Sequence, residues 1–319
     1  MLIHLYKIYT NIIGLGNPTF LGIRYKSICR FVVRSITQII MPVYYKFNES
    51  QLKHIEVNQG EKKRIIVSMT SFPARINNVW QVIESLIHQV RQPDVILLYL
   101  SKAQFPNTFS DLPTKLIKLQ QRGLKILFVD GDIRSHKKYY YAFKEYSNDL
   151  VVTVDDDVYY HPDTIDVLYN EYIKYPRKII ANNTSVIKYR DNVLQPYLTW
   201  GTIQGETEKC GGLIQIGVGG VLYDPSLLFD DVLNLGLAIQ LCPMADDIWL
   251  NVMARLNKIP VHQTPLSLLY LPVYNKNDVK LNKINNGQGM NDKQIQKIRD
   301  YYLEYAGFDV YSVDIYRSN

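Results

Sequence analysis

The run Leu150-Val151-Val152-Thr153-Val154, followed by Asp155-Asp156-Asp157 and then Val158-Tyr159-Tyr160, restricts the chain more than any other stretch. Its apolar, β-branched half, bounded by polar residues, reads as a buried strand. The three carboxylates then stand at the strand's C-terminal end, where open α/β sheets bind their ligands. Adjacent carboxylates repel one another, so the cluster costs stability unless a cation or hydrogen-bond donors hold it. Oxygen-only ligands suit a hard divalent ion, Mg²⁺ or Mn²⁺, that keeps open positions for a phosphate-bearing substrate. An isolated Asp-x-Asp also arises by composition in a chain of 319 residues, and a solvated turn is the plain alternative.

A chain of this length with 47% hydrophobic residues can bury one large core or two modest ones. Its net charge of +6 is concentrated at one end: residues 1 to 60 carry seven Lys or Arg against Glu49 and Glu56. Such asymmetry suits a basic segment meeting an acidic surface, membrane or nucleic acid. Three cysteines without Cys-x-x-Cys spacing indicate neither a disulfide framework nor a zinc site, and a reducing cytosol fits best. No stretch reaches the ~18 uninterrupted apolar residues of a membrane span. Phe31 to Tyr45 comes nearest, with Arg34, Gln38 and Pro42 interrupting it. The first twenty residues lack the pattern of a signal peptide.

Residues 1–60 mix Ile, Leu, Tyr and Phe with Lys and Arg, as amphipathic interfacial segments do; a cap packed on the following domain is the alternative. The polar stretch Asn58 to Arg64 sets a boundary near residue 60, before the strand Ile65–Met69. Beyond the loop Thr70-Ser71-Phe72-Pro73-Ala74-Arg75, apolar residues at Ile76, Val79, Ile83, Leu86 and Val90 mark one helical face. Val95–Leu100 and Leu124–Val129 read as further strands, with a short helix over Leu112–Leu119 between them. A helix beginning near Ser135 leads to the central strand, and another beginning at Pro162 leaves it. This alternation predicts a mostly parallel sheet with helices on its faces. Lys178–Ser185 is a strand candidate, followed by irregular sequence to about residue 212. Leu213–Tyr223, with Gly217, Gly219 and Gly220, reads as a strand where backbone or ligand must approach closely. Ala245-Asp246-Asp247-Ile248-Trp249-Leu250 opens a helix, and Asp292–Tyr305 is a terminal helix after a polar loop. Neither a dinucleotide fingerprint nor a phosphate-binding Gly-x-x-x-x-Gly-Lys-Ser/Thr loop is present.

Taken in order, Thr70 to Ile76, Pro93 to Ser101, Lys137-Lys138, Val154 to Tyr160, Gly219-Gly220-Val221-Leu222-Tyr223 and Ala245-Asp246-Asp247-Ile248-Trp249 form an ordered set. Over residues 64 to 257 the chain resembles the uncharacterised bacterial glycosyltransferases of the GT-A fold found among polysaccharide-synthesis proteins. The resemblance implies an α/β, GT-A-like domain over residues 61–275, built on a mostly parallel nucleotide-binding sheet with helices on both faces. Residues 1–60 and the C-terminal loop and helix, 276–319, lie outside it. It implies sugar transfer from a nucleotide-sugar to the hydroxyl of a saccharide or lipid-linked saccharide, with Mn²⁺ or Mg²⁺. Asp157 would be a direct metal ligand, Asp155 a second or water-mediated one, and Asp156 a partner of the ribose or donor sugar. Thr70, Arg75, Lys138, Gly219 and Gly220 would contact the donor, and Asp246-Asp247 would stand where inverting members keep their base.

Several of these residues have plainer readings. Asp246 can be a helix cap beside a dipole-stabilised Asp247, and a helix N-terminus lowers a carboxylate's pKa, which weakens a base. His262 is either a metal ligand or a packed strand residue, and Trp200 either a sugar-stacking platform or core. Sugar-nucleotide synthesis, on a similar sheet, would call for a Gly-rich loop after the first strand, where Thr70 to Arg75 contains no Gly. A non-enzymatic membrane- or nucleic-acid-associated protein with a structural ion is a further alternative. The glycosyltransferase reading expects no nucleic-acid partner. It places the protein in the cytoplasm, peripheral to the inner face of the cell membrane through its basic segment.

Overall fold

Alternate residues of the central strands enter different cores, which sets the layering of the molecule. The structure, a computed structural model, describes residues 1–14, 19–20, 23–52, 63–201, 208–266, 271–274 and 289–316. Helix α1 (Leu2–Gly14), the short strands β1 (Thr19–Phe20) and β2 (Ile23–Arg24), and the long helix α2 (Tyr25–Phe47) precede the sheet. There follow β3 (Ile65–Thr70), α3 (Val79–Ile87), β4 (Val95–Ser101), α4 (Thr114–Lys118), β5 (Leu124–Val129), α5 (Lys137–Glu145) and β6 (Leu150–Thr153). After the Asp turn come β7 (Val158–Tyr159), α6 (Thr164–Lys174), β8 (Ile179–Ala181), β9 (Thr184–Arg190), β10 (Val193–Leu194) and β11 (Glu208–Gln215). The chain closes with β12 (Val221–Tyr223), α7 (Leu235–Leu241), α8 (Asp246–Leu256), β13 (Val261–Gln263), β14 (Leu271–Pro272) and α9 (Met290–Ala306).

Among the described residues the main sheet has seven strands in the order β13-β8-β12-β6-β3-β4-β5. Strands β6, β3, β4 and β5 are parallel, β13 is parallel to β8, and β12 runs antiparallel to both its neighbours. The α/β class and the mostly parallel sheet are as expected. Val67, Met69, Leu98 and Val152 point to one core with α1, α2, α3 and α6, while Ile66, Leu97, Tyr99 and Val151 point to a second with α5, α8 and α9. Helices therefore cover both faces, as a sheet built largely from apolar runs requires.

The structure differs from the sequence reading where glycines redirect the backbone. Leu213–Tyr223 is not one strand. It breaks at a 3₁₀ turn over Gly217–Gly219, and Gly220, at φ +86°, adopts a left-handed conformation that L side chains rarely take. The halves on either side join different sheets. β11 belongs to a three-stranded sheet with β9 and β10, so the stretch read as irregular contains strands. Lys178–Ser185 likewise divides into β8 and β9. Helix α6 starts at Thr164, two residues after Pro162, and α3 is shorter than its apolar periodicity.

The N-terminal helices are packed on the sheet. Leu2, Tyr6, Tyr9, Val33, Met41 and Tyr45 are buried in the first core, and the Tyr6 hydroxyl donates to the Tyr159 carbonyl. At the other end, Ile295, Ile298, Tyr302 and Tyr311 are buried in the second core, and Arg255 of α8 donates to the carbonyls of Val310 and Ser312. The sequence boundaries near residues 60 and 275 fall outside the described residues.

Candidate functional site

Strand β6 delivers Asp155, Asp156 and Asp157 into the turn before β7. Each carboxylate faces a cation, and Asp156 and Asp157 share one. Asp156 is buried, accepts a hydrogen bond from Ser71 Oγ at 2.6 Å and is paired with Arg75 Nη1 at 2.6 Å. The other guanidinium nitrogen of Arg75, Nη2, lies 3.1 Å from Asp157 Oδ2, and Phe72 packs beneath the guanidinium. Asp155 accepts from Lys138 Nζ at 2.9 Å. Burial raises the Asp156 pKa, and Arg75 and Ser71 offset it only in part. Asp155 and Asp157 keep 31% and 26% of their side-chain surface exposed, so both remain within reach of a ligand.

Lys138 connects this turn to a second acidic centre at the start of α8. Its carbonyl accepts from Ser68 Oγ on β3, which anchors the first turn of α5 over the sheet. The buried ammonium lies 3.0 Å from Asp246 Oδ2 as well as beside Asp155. Burial alone would push Lys138 down, but Asp155, Asp246 and Asp247 prevail and hold its pKa well above the usual lysine value. Burial likewise opposes ionisation of Asp246, yet Lys138, with His136 behind it, brings its pKa below the ordinary carboxylate value. Asp247 behaves in the opposite way: burial, then the neighbouring charge of Asp246, push it up to about 7 against the pull of Lys138.

The helix start does not follow the capping expectation. Ala245 occupies the N-cap without a side-chain cap, and the Asp246 carboxylate is turned toward Lys138. Asp247 accepts from the Gly217 backbone N–H at 3.0 Å, and its own carbonyl accepts from Gln215 Nε2 at 3.0 Å. A Cβ at Gly217 would stand 2.9 Å from Asp247 Oδ1 and 3.1 Å from Lys138 Nζ, so this close approach depends on the missing side chain. The helix dipole would lower Asp247, but burial and Asp246 outweigh it.

Other expected residues are placed differently. Gly219 and Gly220 form the turn between β11 and β12, where the Gly219 carbonyl accepts from Asn182 Nδ2 at 2.9 Å and a Cβ on Gly219 would stand 2.3 Å from Asn183 Nδ2. The glycine that meets the carboxylates is Gly217. Thr70 Oγ1 donates to the Tyr99 carbonyl at 2.8 Å, while its neighbour Ser71 reaches the Asp turn. Trp200 is buried between Tyr197 and Tyr311, with its Nε1 donating to the Gln195 carbonyl, which is a core position and not an exposed stacking platform. His262 is paired with Glu171 at 3.0 Å and lies against Tyr175, away from the Asp turn. Sequence reasoning passed over Tyr160, whose buried hydroxyl accepts from the Asp155 backbone N–H at 2.7 Å and donates to the Val218 carbonyl at 3.3 Å. It ties the Asp turn to the glycine turn, and an aromatic residue in an apolar run gives no sign of that role.

The hard, partly exposed oxygens of Asp155 and Asp157 suit Mg²⁺ or Mn²⁺, ions that take one or two protein carboxylates and complete their shell with phosphate and water. Among the described residues no three His, Cys, Asp or Glu side chains are grouped to hold a metal ion.

No protein-family model matches the chain, and no curated protein matches its sequence. Solved structures do resemble it. Mannosyltransferase PcManGT from Pyrobaculum calidifontis, in complex with GDP-Man and Mn²⁺, aligns over 84% of this chain and 74% of its own, at 12% identity and a TM-score of 0.48. Glucosyl-3-phosphoglycerate synthase from Mycobacterium tuberculosis, in complex with Mn²⁺, UDP and glucosyl-3-phosphoglycerate, aligns over 77% and 81%, at 14% identity and 0.40. A 4-diphosphocytidyl-2C-methyl-D-erythritol synthase aligns over 70% and 99%, at 9% identity and 0.38. All three likenesses are distant.

Proposed function

We propose that this protein is a metal-dependent, inverting glycosyltransferase that moves a sugar from a nucleotide-sugar to the hydroxyl of a saccharide or lipid-linked saccharide in bacterial surface polysaccharide synthesis. The observation that carries this reading is the shared ammonium of Lys138, which joins the Asp155–Asp157 turn to the Asp246–Asp247 helix start. Charge handling for a diphosphate and a carboxylate suited to proton removal thus meet at one place. Asp155 and Asp157 would hold the divalent ion, which when bound supplies charge neutralisation for the diphosphate leaving group. Arg75 is poised to turn from Asp156 and Asp157 toward a donor phosphate or ribose, its planar fork matching either.

Asp247 is the base. It accepts the proton of the acceptor hydroxyl while the bond from that oxygen to the anomeric carbon forms and the bond to the leaving phosphate breaks. With the base opposite the leaving group, one displacement inverts the anomeric centre. A pKa of about 7 suits this role, because a base works best when its pKa lies near the working pH. Asp246, ionised against Lys138, keeps Asp247 raised. The test is a panel of nucleotide-sugars with Mn²⁺, read by released nucleotide, followed by NMR of the product. An α-linked donor should yield a β-glycoside; no turnover with any donor, or a retained α product, rules the reading out. The internal pairing of the acidic residues with Arg75 and Lys138 also favours a second reading, a binding protein whose carboxylates form a structural ion-pair network. That protein would release no nucleotide.

A further inference from the structure

Helix α2 is apolar on two opposite faces, and only one of them has a partner among the described residues. Val33, Thr37, Met41 and Tyr45, spaced by four, are buried against α1 and the sheet. On the other side Ile28, Phe31, Val32, Ile39, Val43 and Phe47 are exposed, with Phe31 at 70%, Ile39 at 71% and Phe47 at 75%. At ~1.5 Å per residue, this stripe runs most of the length of a helix roughly 35 Å long. A continuous exposed apolar face of that kind marks an interaction surface.

The charge of the segment selects the partner. No Asp or Glu occurs before Glu49, while Lys7, Arg24, Lys26, Arg30, Arg34 and Lys46 all fall within it. Arg34 is turned to the inner side, donating to the Tyr9 hydroxyl, whereas Lys46 stands beside the exposed Phe47. A symmetric pairing of two copies would bring segments of like charge together, whereas an anionic lipid surface complements them. No described helix is long and apolar enough to cross a membrane, so the face would lie in the bilayer's interface.

The position of α2 gives the contact a purpose. Gln38 Nε2 donates to the Pro272 carbonyl at 2.6 Å, and Gln38 Oε1 accepts from the Tyr274 backbone N–H at 3.0 Å. Between them, the Val273 N–H donates to the Asp157 carbonyl at 2.8 Å. Three hydrogen bonds thus couple the middle of α2 to the Asp turn. Further along, Tyr44 and Tyr45 pack on His88 at the end of α3, whose N-cap residue Asn78 donates to the Tyr274 carbonyl. Helices α2 and α3 therefore run side by side in the same direction, and the turns of α2 before Gln38 pass beyond the end of the sheet that carries the acidic residues.

We infer that the outer face of α2 seats the protein on an anionic bilayer with the end of the sheet that carries the Asp turn toward the lipid surface. That the acceptor is carried by that membrane rests on the glycosyltransferase reading; the docking itself does not. The test is co-sedimentation of the full chain with vesicles rich in phosphatidylglycerol and with vesicles of phosphatidylcholine alone. The parent should partition to the anionic vesicles, and Phe31→Glu with Ile39→Glu should reduce partitioning by more than about tenfold. Both positions are exposed, so the variant should keep the parent's melting temperature; Lys46→Glu, a milder change, should reduce partitioning in the same direction. Light scattering should find the parent monomeric. Equal partitioning of the double variant, or a parent dimer that the double variant dissociates, would overturn the inference. Vesicle binding requires no sugar transfer, so its failure and the failure of the enzymatic reading are distinguishable.

Discussion

The two acidic centres joined by Lys138 hold their charge in different ways. In the Asp155–Asp157 turn every carboxylate faces a cation: Asp155 the ammonium of Lys138, Asp156 and Asp157 the guanidinium of Arg75. At the start of α8 two adjacent carboxylates share one ammonium, and they diverge: Asp246 is held ionised, while burial and its neighbour push Asp247 to about 7. Pairing suits residues that must position and neutralise charge, whereas unequal sharing produces a carboxylate able to exchange a proton near neutrality. Residue type, with five aspartates in two short clusters, does not distinguish the roles; in the sequence only the family resemblance does.

The sharpest way to break this contrast is Asp247→Asn. The variant should lose about 10²- to 10⁴-fold in kcat, in steady-state kinetics, with donor affinity little changed. The same residue makes a thermodynamic prediction. Its folded pKa lies above the ordinary carboxylate value of about 4, so the folded state holds the proton more tightly, and stability falls as pH rises from about 4 to 7. Asn cannot ionise. The variant should therefore melt higher than the parent at pH 8 and close to it at pH 4, by calorimetry.

Lys138→Met comes next. It leaves Asp246 buried beside Asp155 without a cation, a loss of about 3–5 kcal/mol at pH 7 by chemical denaturation. The loss should shrink in acid, where Asp246 can take up a proton. A smaller effect is expected in the turn, where Asp157→Asn removes one carboxylate from the candidate metal site. Mn²⁺-dependent donor binding by calorimetry should weaken by at least the roughly 10- to 100-fold that loss of a supporting partner costs. Unchanged binding would make the turn a structural ion-pair cluster. Smallest of all, Gly217→Ala crowds Asp247 Oδ1 and Lys138 Nζ and should cost roughly 1 kcal/mol of stability, because the tips of both side chains can give way.

How much of this was legible in the sequence depends on how local each signal is. The strand leading into Asp155–Asp157 was, because Leu150–Val154 needs burial on both faces and an acidic run that needs charge partners ends it. The alternation from Ile65 to Phe143 was too, since each element carries its own period. The break at Gly217–Gly219 was not: apolar residues on both sides read as one strand, and only the separate sheets that receive β11 and β12 divide them. Nor was the pairing of Lys138 with Asp246, a contact between distant segments. The cap expectation for Asp246 failed for that reason, because Lys138 draws away the carboxylate that a local reading assigns to the backbone. Ser71 and Tyr160 were passed over because their parts depend on which turns meet, whereas Gly217 belonged to the stretch whose glycines signal a close approach.

The most direct test of the central claim, that Asp247 is the base, is the pH dependence of kcat/KM for sugar transfer. With a pKa of about 7, activity should rise about tenfold per unit on the acid side and level off above neutrality, and Asp247→Asn should lose that acid limb. A profile already level from about pH 5, or an acid limb kept by the variant, would contradict the account and return Asp247 to a structural role beside Gly217.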